Sequence, residues 1–252
     1  MQEPQQPAAR LLTDGSRQAR RAMDTTPAFW FSMFAASALG TNLGDFCVDG
    51  LSLDRWTSFA ALAALAGLSI LADRGAARRT DAGYWVAIVT LRAAATNVAD
   101  FLTHDRKLGY VTISIVLGVA TLLAGRFTRI DKTNNGSPTV DERYWGTMLI
   151  AGIFGTTVGD MTSHTFGLYA AAGSFCLALA IFIALRGRFA ATSATAYWCV
   201  VLAERAAGTP VGDALASSRA VGLGLPIAMA CTLALLLAGL TAYRLTPRSA
   251  RR

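Results

Sequence analysis

Charge is scarce in this chain. Only 15% of its 252 residues are Asp, Glu, Lys or Arg, whereas soluble domains carry about 25%. Hydrophobic residues make up 53% of the sequence, and apolar runs close to the ~20 residues that cross a bilayer recur along its whole length. The shortage of charge excludes an ordinary soluble domain and predicts a polytopic, all-α integral membrane protein.

Residues that build metal, redox and catalytic motifs are also few. The chain has four cysteines and two histidines, and the cysteines stand singly, without the C-x-x-C spacing of metal or redox sites. The sequence contains no H-E-x-x-H pair, phosphate loop, nucleophile elbow or haem-attachment motif. We therefore name no catalytic residue, and an enzyme is the least favoured class of function.

The basic residues indicate the topology. We place eight transmembrane helices at 28–48, 54–72, 83–103, 108–125, 144–164, 167–185, 195–216 and 222–243. Seventeen of the 23 Lys and Arg residues then fall on one side of the membrane, which the positive-inside rule assigns to the cytoplasm together with both termini. The net charge of +7 thus reflects topology, and we expect no nucleic-acid partner. The polar N-terminus lacks the apolar region of a signal peptide.

These helices divide the chain into two pseudo-equivalent halves. We expect a cytoplasmic basic tail at 1–27, a first half at 28–128, a cytoplasmic linker at 129–143, a second half at 144–244 and a basic tail at 245–252. The linker carries Asn-Gly and Ser-Pro, which favour turns. The predicted partners are the lipid bilayer and a small ion or small-molecule substrate, and a homo-oligomer is left open.

A hexamer occurs four times, as "GTNLGD" (40–45), "ATNVAD" (95–100), "GTTVGD" (155–160) and "GTPVGD" (208–213). Each copy ends in an aspartate that follows a tryptophan by fifteen residues, and an aromatic residue precedes each tryptophan. A fixed pattern at intervals of 53 to 60 residues indicates an internal repeat. Since each unit crosses the membrane twice, the four two-helix repeats are predicted to be parallel.

The four aspartates are the first candidates for a functional role, because intramembrane ionisable residues are functional by default. Side chains four residues apart share a helix face, so each repeat presents one polar stripe. The predicted ion- or substrate-binding residues are Asp45, Asp100, Asp160 and Asp213, with Thr41, Thr96, Thr156 and Thr209 one turn before them, and Arg92 and Arg205 two turns before two of them. Glu204 and Arg205 project from adjoining faces, so we expect Arg205 to pair with another helix.

One turn beyond the aspartates lie Asp49, His104 and His164. Carboxylate and imidazole ligands suit divalent cations. Asp49, His104 and His164, together with Asp45, Asp100 and Asp160, are therefore the predicted metal ligands, and a divalent cation is the one cofactor that the residues suggest. Beside each polar stripe runs a small-x-x-x-small face, such as Gly155 and Gly159, which lets helices approach closely in a bilayer.

Two hypotheses follow. In the first, the chain is a small permease or ion-coupled transporter that binds a cation or protons at the repeated aspartates, with Arg92 and Arg205 holding the acids apart. In the second, it is a non-transporting structural or sensory module whose Asp and Arg residues lock the helix bundle. The second hypothesis draws on the small-residue faces, and both remain open at this point.

The four hexamers, with "GTTVGD" as the cleanest copy and an aromatic pair upstream, resemble a bacterial family of uncharacterised membrane-anchored proteins. That family is built from repeats that bear a Gly-Thr-Thr-x-Gly-Asp signature, usually in four copies. The resemblance covers residues 28–244 and implies an eight-helix protein of the bacterial inner membrane, without implying an activity. The chain departs from the signature in "ATNVAD" and "GTPVGD", but the aspartate is present in all four copies.

Overall fold

The chain is predominantly helical in the computed structural model, which describes residues 20–21, 25–75, 81–131, 137–189, 193–218 and 220–245. The α-helices are α1 Pro27–Asp45, α2 Arg55–Gly75, α3 Asp81–Asp100, α4 Tyr110–Arg126, α5 Glu142–Phe166, α6 Leu168–Phe189, α7 Ala194–Ala216 and α8 Leu225–Leu245. Each corresponds to a segment that the sequence predicts to be helical. Side-chain caps mark several starts, as where Thr26, Asp141 and Ser193 accept hydrogen bonds from backbone N–H groups.

Two of the hexamers are followed by a π-helical turn. Phe46–Gly50 extends α1 and Phe101–Asp105 extends α3. The N–H groups of Leu51 and Arg106 close these turns on the carbonyls five residues earlier, both at 2.9 Å. Such turns occur often at functional sites, and these two carry the predicted ligands Asp49 and His104.

The helices form two concentric layers. The four that carry the hexamers make an inner ring, in which α1 and α5 each contact both α3 and α7. Each remaining helix packs on the outside, mainly against the inner helix that follows it in the chain: α2 on α3, α4 on α5 and α6 on α7. The eighth helix, α8, packs on α1. Each of the four inner helices is therefore covered by one outer helix.

Small residues let the inner helices approach closely, as the sequence predicts. A Cβ atom added to Gly155 of α5 would lie 2.6 Å from the backbone carbonyl of Arg205 in α7. A Cβ added to Gly44 of α1 would lie 2.9 Å from the carbonyl of Ala93 in α3. Both distances are shorter than real Cβ contacts, so the inner ring depends on these glycines.

The polarity of the fold is inverted relative to a soluble protein. Arg92, Arg205 and Glu204 are among the most buried side chains, while Leu68, Ile115 and Leu177 of the outer helices are more than 60% exposed. Within the described residues, three helical segments are long and apolar enough to cross a membrane, Arg55–Ala72, Asp81–Asp105 and Leu225–Leu245, and Tyr110–Arg126 and Leu168–Ile181 are shorter apolar helices. A large exposed apolar surface around a polar interior indicates a membrane protein.

The predicted linker contains strands rather than only turns. β2 (Ile130–Asp131) and β3 (Ser137–Val140) pair in antiparallel fashion, and β3 also pairs with β1 (Arg20–Arg21). This small sheet joins the segment before α1 to the middle of the chain. Most of the two predicted tails, 1–27 and 245–252, and residues 132–136 of the linker lie outside the described residues.

Candidate functional site

Eight aromatic side chains close one end of the inner ring. The first aromatic residue of each hexamer helix packs against the tryptophan of the next helix. The ring centroids are 5.9 Å apart for Phe29 and Trp85, 5.6 Å for Tyr84 and Trp145, 5.7 Å for Tyr144 and Trp198, and 5.4 Å for Tyr197 and Trp30. We call this set the aromatic ring. All eight are buried, so the bundle axis is shut at this end.

Hydroxyl groups run through the aromatic ring. The Tyr84 and Tyr144 hydroxyl oxygens are 2.7 Å apart, and those of Tyr144 and Tyr197 are 3.1 Å apart. Phe29 occupies the fourth equivalent position and supplies no hydroxyl. The buried phenols therefore satisfy one another in a chain across the axis instead of reaching water.

The centre of the bundle is held by Arg92. Its guanidinium donates to the hydroxyls of four threonines, one on each inner helix: Thr41 at 3.0 Å, Thr96 at 3.1 Å, Thr156 at 2.6 Å and Thr209 at 2.6 Å. We call these four residues the threonine ring. Arg92 also donates to the Ser37 hydroxyl at 3.1 Å and the Gly152 carbonyl at 3.2 Å. Each inner helix thus contributes at least one acceptor to one cation.

The threonines and Arg92 are fully enclosed, with exposures of 1 to 2%. A charge in such a place is stabilised only by good hydrogen-bond geometry, and the planar guanidinium fork supplies it. The threonine ring and Arg92 therefore fill the interior of the bundle on the inner side of the aspartates, and we call this buried layer the floor.

The two arginines do not play equivalent roles, although they occupy the same position in their hexamer helices. Arg205 lies 3.4 Å from Glu204, measured from Nε to Oε2, and donates to the Met148 sulfur at 3.3 Å. The sequence predicts that Arg205 pairs with another helix; its hydrogen bond does reach Met148 of α5, but its ion-pair partner is Glu204 of its own helix. Both side chains are buried between the inner helices, and their flexible stems bring adjacent residues together.

The four aspartates lie one turn beyond the threonine ring, and we call them the aspartate ring. Asp45 is within electrostatic range of Asp213, Asp100 and Asp160, so the four carboxylates lie in the same part of the bundle. They are half-buried, in contrast to the enclosed threonines. The carboxylates therefore lie between the enclosed threonines and the exposed residues of the next turn, and we call this partly exposed region beyond Arg92 the vestibule.

The residues of the next turn form the rim of this vestibule. Asp49, His104 and His164 are exposed. The Nδ1 atom of His104 lies 3.7 Å from the Asp100 carboxylate. The ring of His164 is 5.9 Å from that of Tyr110, measured between centroids. On the outer side of the rim Arg55 forms an ion pair with Asp105.

The spacing of the predicted ligands can be compared with that of a metal site. In the described part of the chain, no group of three or more His, Cys, Asp or Glu side chains is close enough together to hold a metal ion. The carboxylates of the aspartate ring share one space without reaching chelating distance of a common point. Direct coordination by Asp49, His104 and His164 with Asp45, Asp100 and Asp160 thus remains a prediction.

Some structural residues were not singled out from the sequence. Asn97, in the third position of its hexamer, donates to the Ser58 hydroxyl at 2.6 Å and so ties α3 to α2. Tyr110 contacts both histidines of the rim, its hydroxyl lying 3.4 Å from Nε2 of His104. The third position of the hexamer is polar in three of the four copies, which was a signal for Asn97, whereas Tyr110 has no counterpart in the repeat.

Comparison with known proteins identifies one part of the chain. Residues 196–249 match a family model described as Repeat of Unknown Function (DUF347). The match spans most of α7 and all of α8, including Trp198, Arg205 and the "GTPVGD" hexamer, and supports similarity to an uncharacterised repeat family. No curated protein and no solved structure matches the chain.

Proposed function

We propose that the chain is a small permease of the bacterial inner membrane, with eight transmembrane helices in four parallel repeats. Both termini face the cytoplasm, and the vestibule opens on the opposite side. On this proposal the four carboxylates of the aspartate ring bind protons or a hydrated cation from that side. The observation that carries the proposal is that four half-buried carboxylates lie near one another inside a bundle whose outer surface is apolar.

The charges support binding of a cation or of protons. Four carboxylates face one another, and neighbouring like charges cannot all remain ionised without a counterion. Arg92 is a buried cation within electrostatic range of Asp160 and Asp213, but its N–H groups are engaged by hydroxyls and a carbonyl. The aspartate ring therefore recruits its counterions from the vestibule.

The closed floor implies alternating access. A cation in the vestibule meets the guanidinium of Arg92 and then the aromatic ring, both of which are buried. Transport therefore requires the inner helices to separate at the threonine ring, and the close helix contacts at glycine provide surfaces on which they can slide.

The test is an ion-flux measurement on the full chain in proteoliposomes. A pH-sensitive dye inside the vesicles reports proton movement while Na⁺, K⁺, Mg²⁺ or Mn²⁺ gradients are imposed in turn. Asp160→Asn is expected to lower the flux, because ionisable residues inside membranes are functional by default, while Asp81→Asn, at the other end of α3, leaves it unchanged. Undiminished flux in Asp160→Asn and in the variant with all four aspartates replaced contradicts the proposal.

The second candidate function is a locked structural or sensory module. The observation in its favour is that Arg92 alone ties all four inner helices together. On this view Asp160→Asn changes the unfolding temperature in detergent, and wild-type vesicles show no flux above that of empty vesicles. The two measurements together separate the functions.

A further inference from the structure

A groove lies between α4 and α5, outside the vestibule and near the aromatic ring. Its volume is about 490 Å³, and it is lined by Ala124, Phe127, Arg143, Gly146, Thr147 and Ile150. The lining positions of α5 follow the i, i+3, i+4, i+7 pattern of one helix face. The face runs about 10 Å along the helix from Arg143 to Ile150 at 1.5 Å per residue.

One end of this groove is basic. Arg143 lines it and is exposed, and Arg126 and Arg129, which flank Phe127 closely in the sequence, are exposed too. The backbone carbonyl of Arg129 accepts a hydrogen bond of 2.8 Å from Thr139 of β3, the strand that leads into α5. The sheet thus brings the end of α4 and the start of α5 together with their arginines.

The neighbouring acids do not cancel this charge within the groove. The carboxylate of Asp141 accepts a hydrogen bond of 2.9 Å from the Tyr144 N–H and so serves as a helix cap. Glu142 falls outside the i, i+3, i+4, i+7 face that Arg143, Gly146, Thr147 and Ile150 share. Along the membrane normal, the groove is therefore basic at the end near Arg143 and apolar over the rest of its length.

We propose that an anionic phospholipid of the adjoining leaflet binds in this groove, with its phosphate at Arg143 and an acyl chain along Ala124, Phe127 and Ile150. The assignment rests on the proposed membrane orientation of the helices. Basic pockets between helices on the cytoplasmic side are suited to anionic headgroups, and the exposed ring of Phe127 and the small side chain of Ala124 leave an apolar channel directly beside the charge. A soluble anion would use Arg143 but gain nothing from the apolar face.

Gly146 gives a specific way to test the occupant. A Cβ atom at Gly146 meets nothing within 4 Å, so a larger side chain enters the groove without disturbing the helix contact. Gly173 of α6 is likewise open, and it lies on a different outer surface. Gly146→Leu and Gly173→Leu therefore form a matched pair in which only the first fills the groove.

The experiment is native mass spectrometry of the full chain in detergent, titrated with phosphatidylglycerol and, separately, with phosphatidylcholine. Wild type is expected to retain one phosphatidylglycerol in preference to phosphatidylcholine. Arg143→Gln lowers that affinity about fivefold, the value of one basic residue near an anionic lipid surface. Gly146→Leu removes the bound-lipid peak, whereas Gly173→Leu and Arg106→Gln, on the opposite side, keep it.

Equal retention of the two lipids in wild type, or undiminished phosphatidylglycerol binding in Gly146→Leu, overturns the proposal. Retention of phosphatidylglycerol that free glycerol phosphate displaces in full also overturns it, because the acyl chain then contributes nothing. None of these outcomes depends on flux through the vestibule, so failure here is distinct from failure of the permease proposal, which the Asp160→Asn measurement decides.

Discussion

The guanidinium of Arg92 donates a hydrogen bond of 2.6 Å to the hydroxyl of Thr209, 117 residues further along the chain. Thr156 accepts another at the same distance from the neighbouring nitrogen. A single side chain of α3 thereby binds α5 and α7, both of which are far from it in the sequence. The interior of the bundle is therefore organised around this guanidinium.

Arg92→Lys is expected to destabilise the protein by about 2–4 kcal/mol, because an ammonium cannot reproduce a planar fork of donors and several buried hydroxyls lose a charge-assisted hydrogen bond. The change keeps the charge, so the effect isolates geometry. The measurement is the thermal unfolding midpoint in detergent. Arg106→Lys is the control, since Arg106 is exposed and stacks on Phe101. A midpoint equal to wild type in Arg92→Lys would show that the threonine ring does not depend on the guanidinium.

Gly155→Ala is expected to cost about 1–3 kcal/mol, the usual penalty of overpacking, because the new methyl group would lie 2.6 Å from the Arg205 backbone. Gly146→Ala, in the same helix, meets open space and should be neutral or stabilising by up to about 1 kcal/mol through helix propensity. Unfolding of both variants in parallel checks the pair. Equal midpoints for the two would contradict close packing of α5 on α7.

Tyr144→Phe removes the middle hydroxyl of the chain across the aromatic ring. Tyr84 and Tyr197 each lose a hydrogen bond, of 2.7 and 3.1 Å respectively, so we expect a loss of about 1–3 kcal/mol, the net contribution of two buried hydrogen bonds. Tyr169→Phe changes an exposed phenol of α6 and serves as the control. The result is read from the unfolding midpoint, and a neutral Tyr144→Phe would mean that the phenols do not support one another.

Asp54 predicts a pH dependence at the start of α2. Its carboxylate accepts hydrogen bonds from the hydroxyl and N–H of Thr57 and from the N–H of Trp56, and these lower its pKa. A lowered pKa in the folded state means that the cap contributes above the unfolded pKa of about 3.9 and is lost as the pH falls through the lower folded value. Hydrogen exchange of the 54–58 peptide, corrected for intrinsic rates, should show this loss of protection. In Asp54→Asn, the protection of this peptide should no longer change with pH. The same pH dependence in both proteins would contradict the role of Asp54 as a helix cap.

The helices and the polar stripes could be predicted because both depend on local periodicity. Thr156 and Asp160 share a face by the geometry of any α-helix, and the constant distance from Trp145 places equivalent residues of the four hexamers at one level. Packing of the hexamer helices around one axis then brings Thr156 to Thr209 and Asp160 to Asp213. The exposure of the rim also follows from its place at the helix ends.

The partners of the long side chains could not be predicted in the same way. Arg92 and Arg205 stand at equivalent positions, yet Arg92 reaches into the threonine ring while Arg205 folds back to Glu204. The difference depends on Glu204, which α3 lacks at the corresponding position, where Leu91 stands. The π-helical turns after Asp45 and Asp100 were not predicted either; both begin at a phenylalanine that directly follows the aspartate, whereas α5 has Met161 there and continues as an ordinary helix.

The seating of α8 against α1 has a consequence for the order of folding. Gly239 of α8 lies against Ser32 and Phe31 of α1, so the outer covering of α1 comes from a helix that is far from it in the sequence. Contacts between distant segments form only after the entropy of closing the intervening chain has been overcome. We therefore expect α1 to receive its outer covering late in folding, after the neighbouring helices have packed.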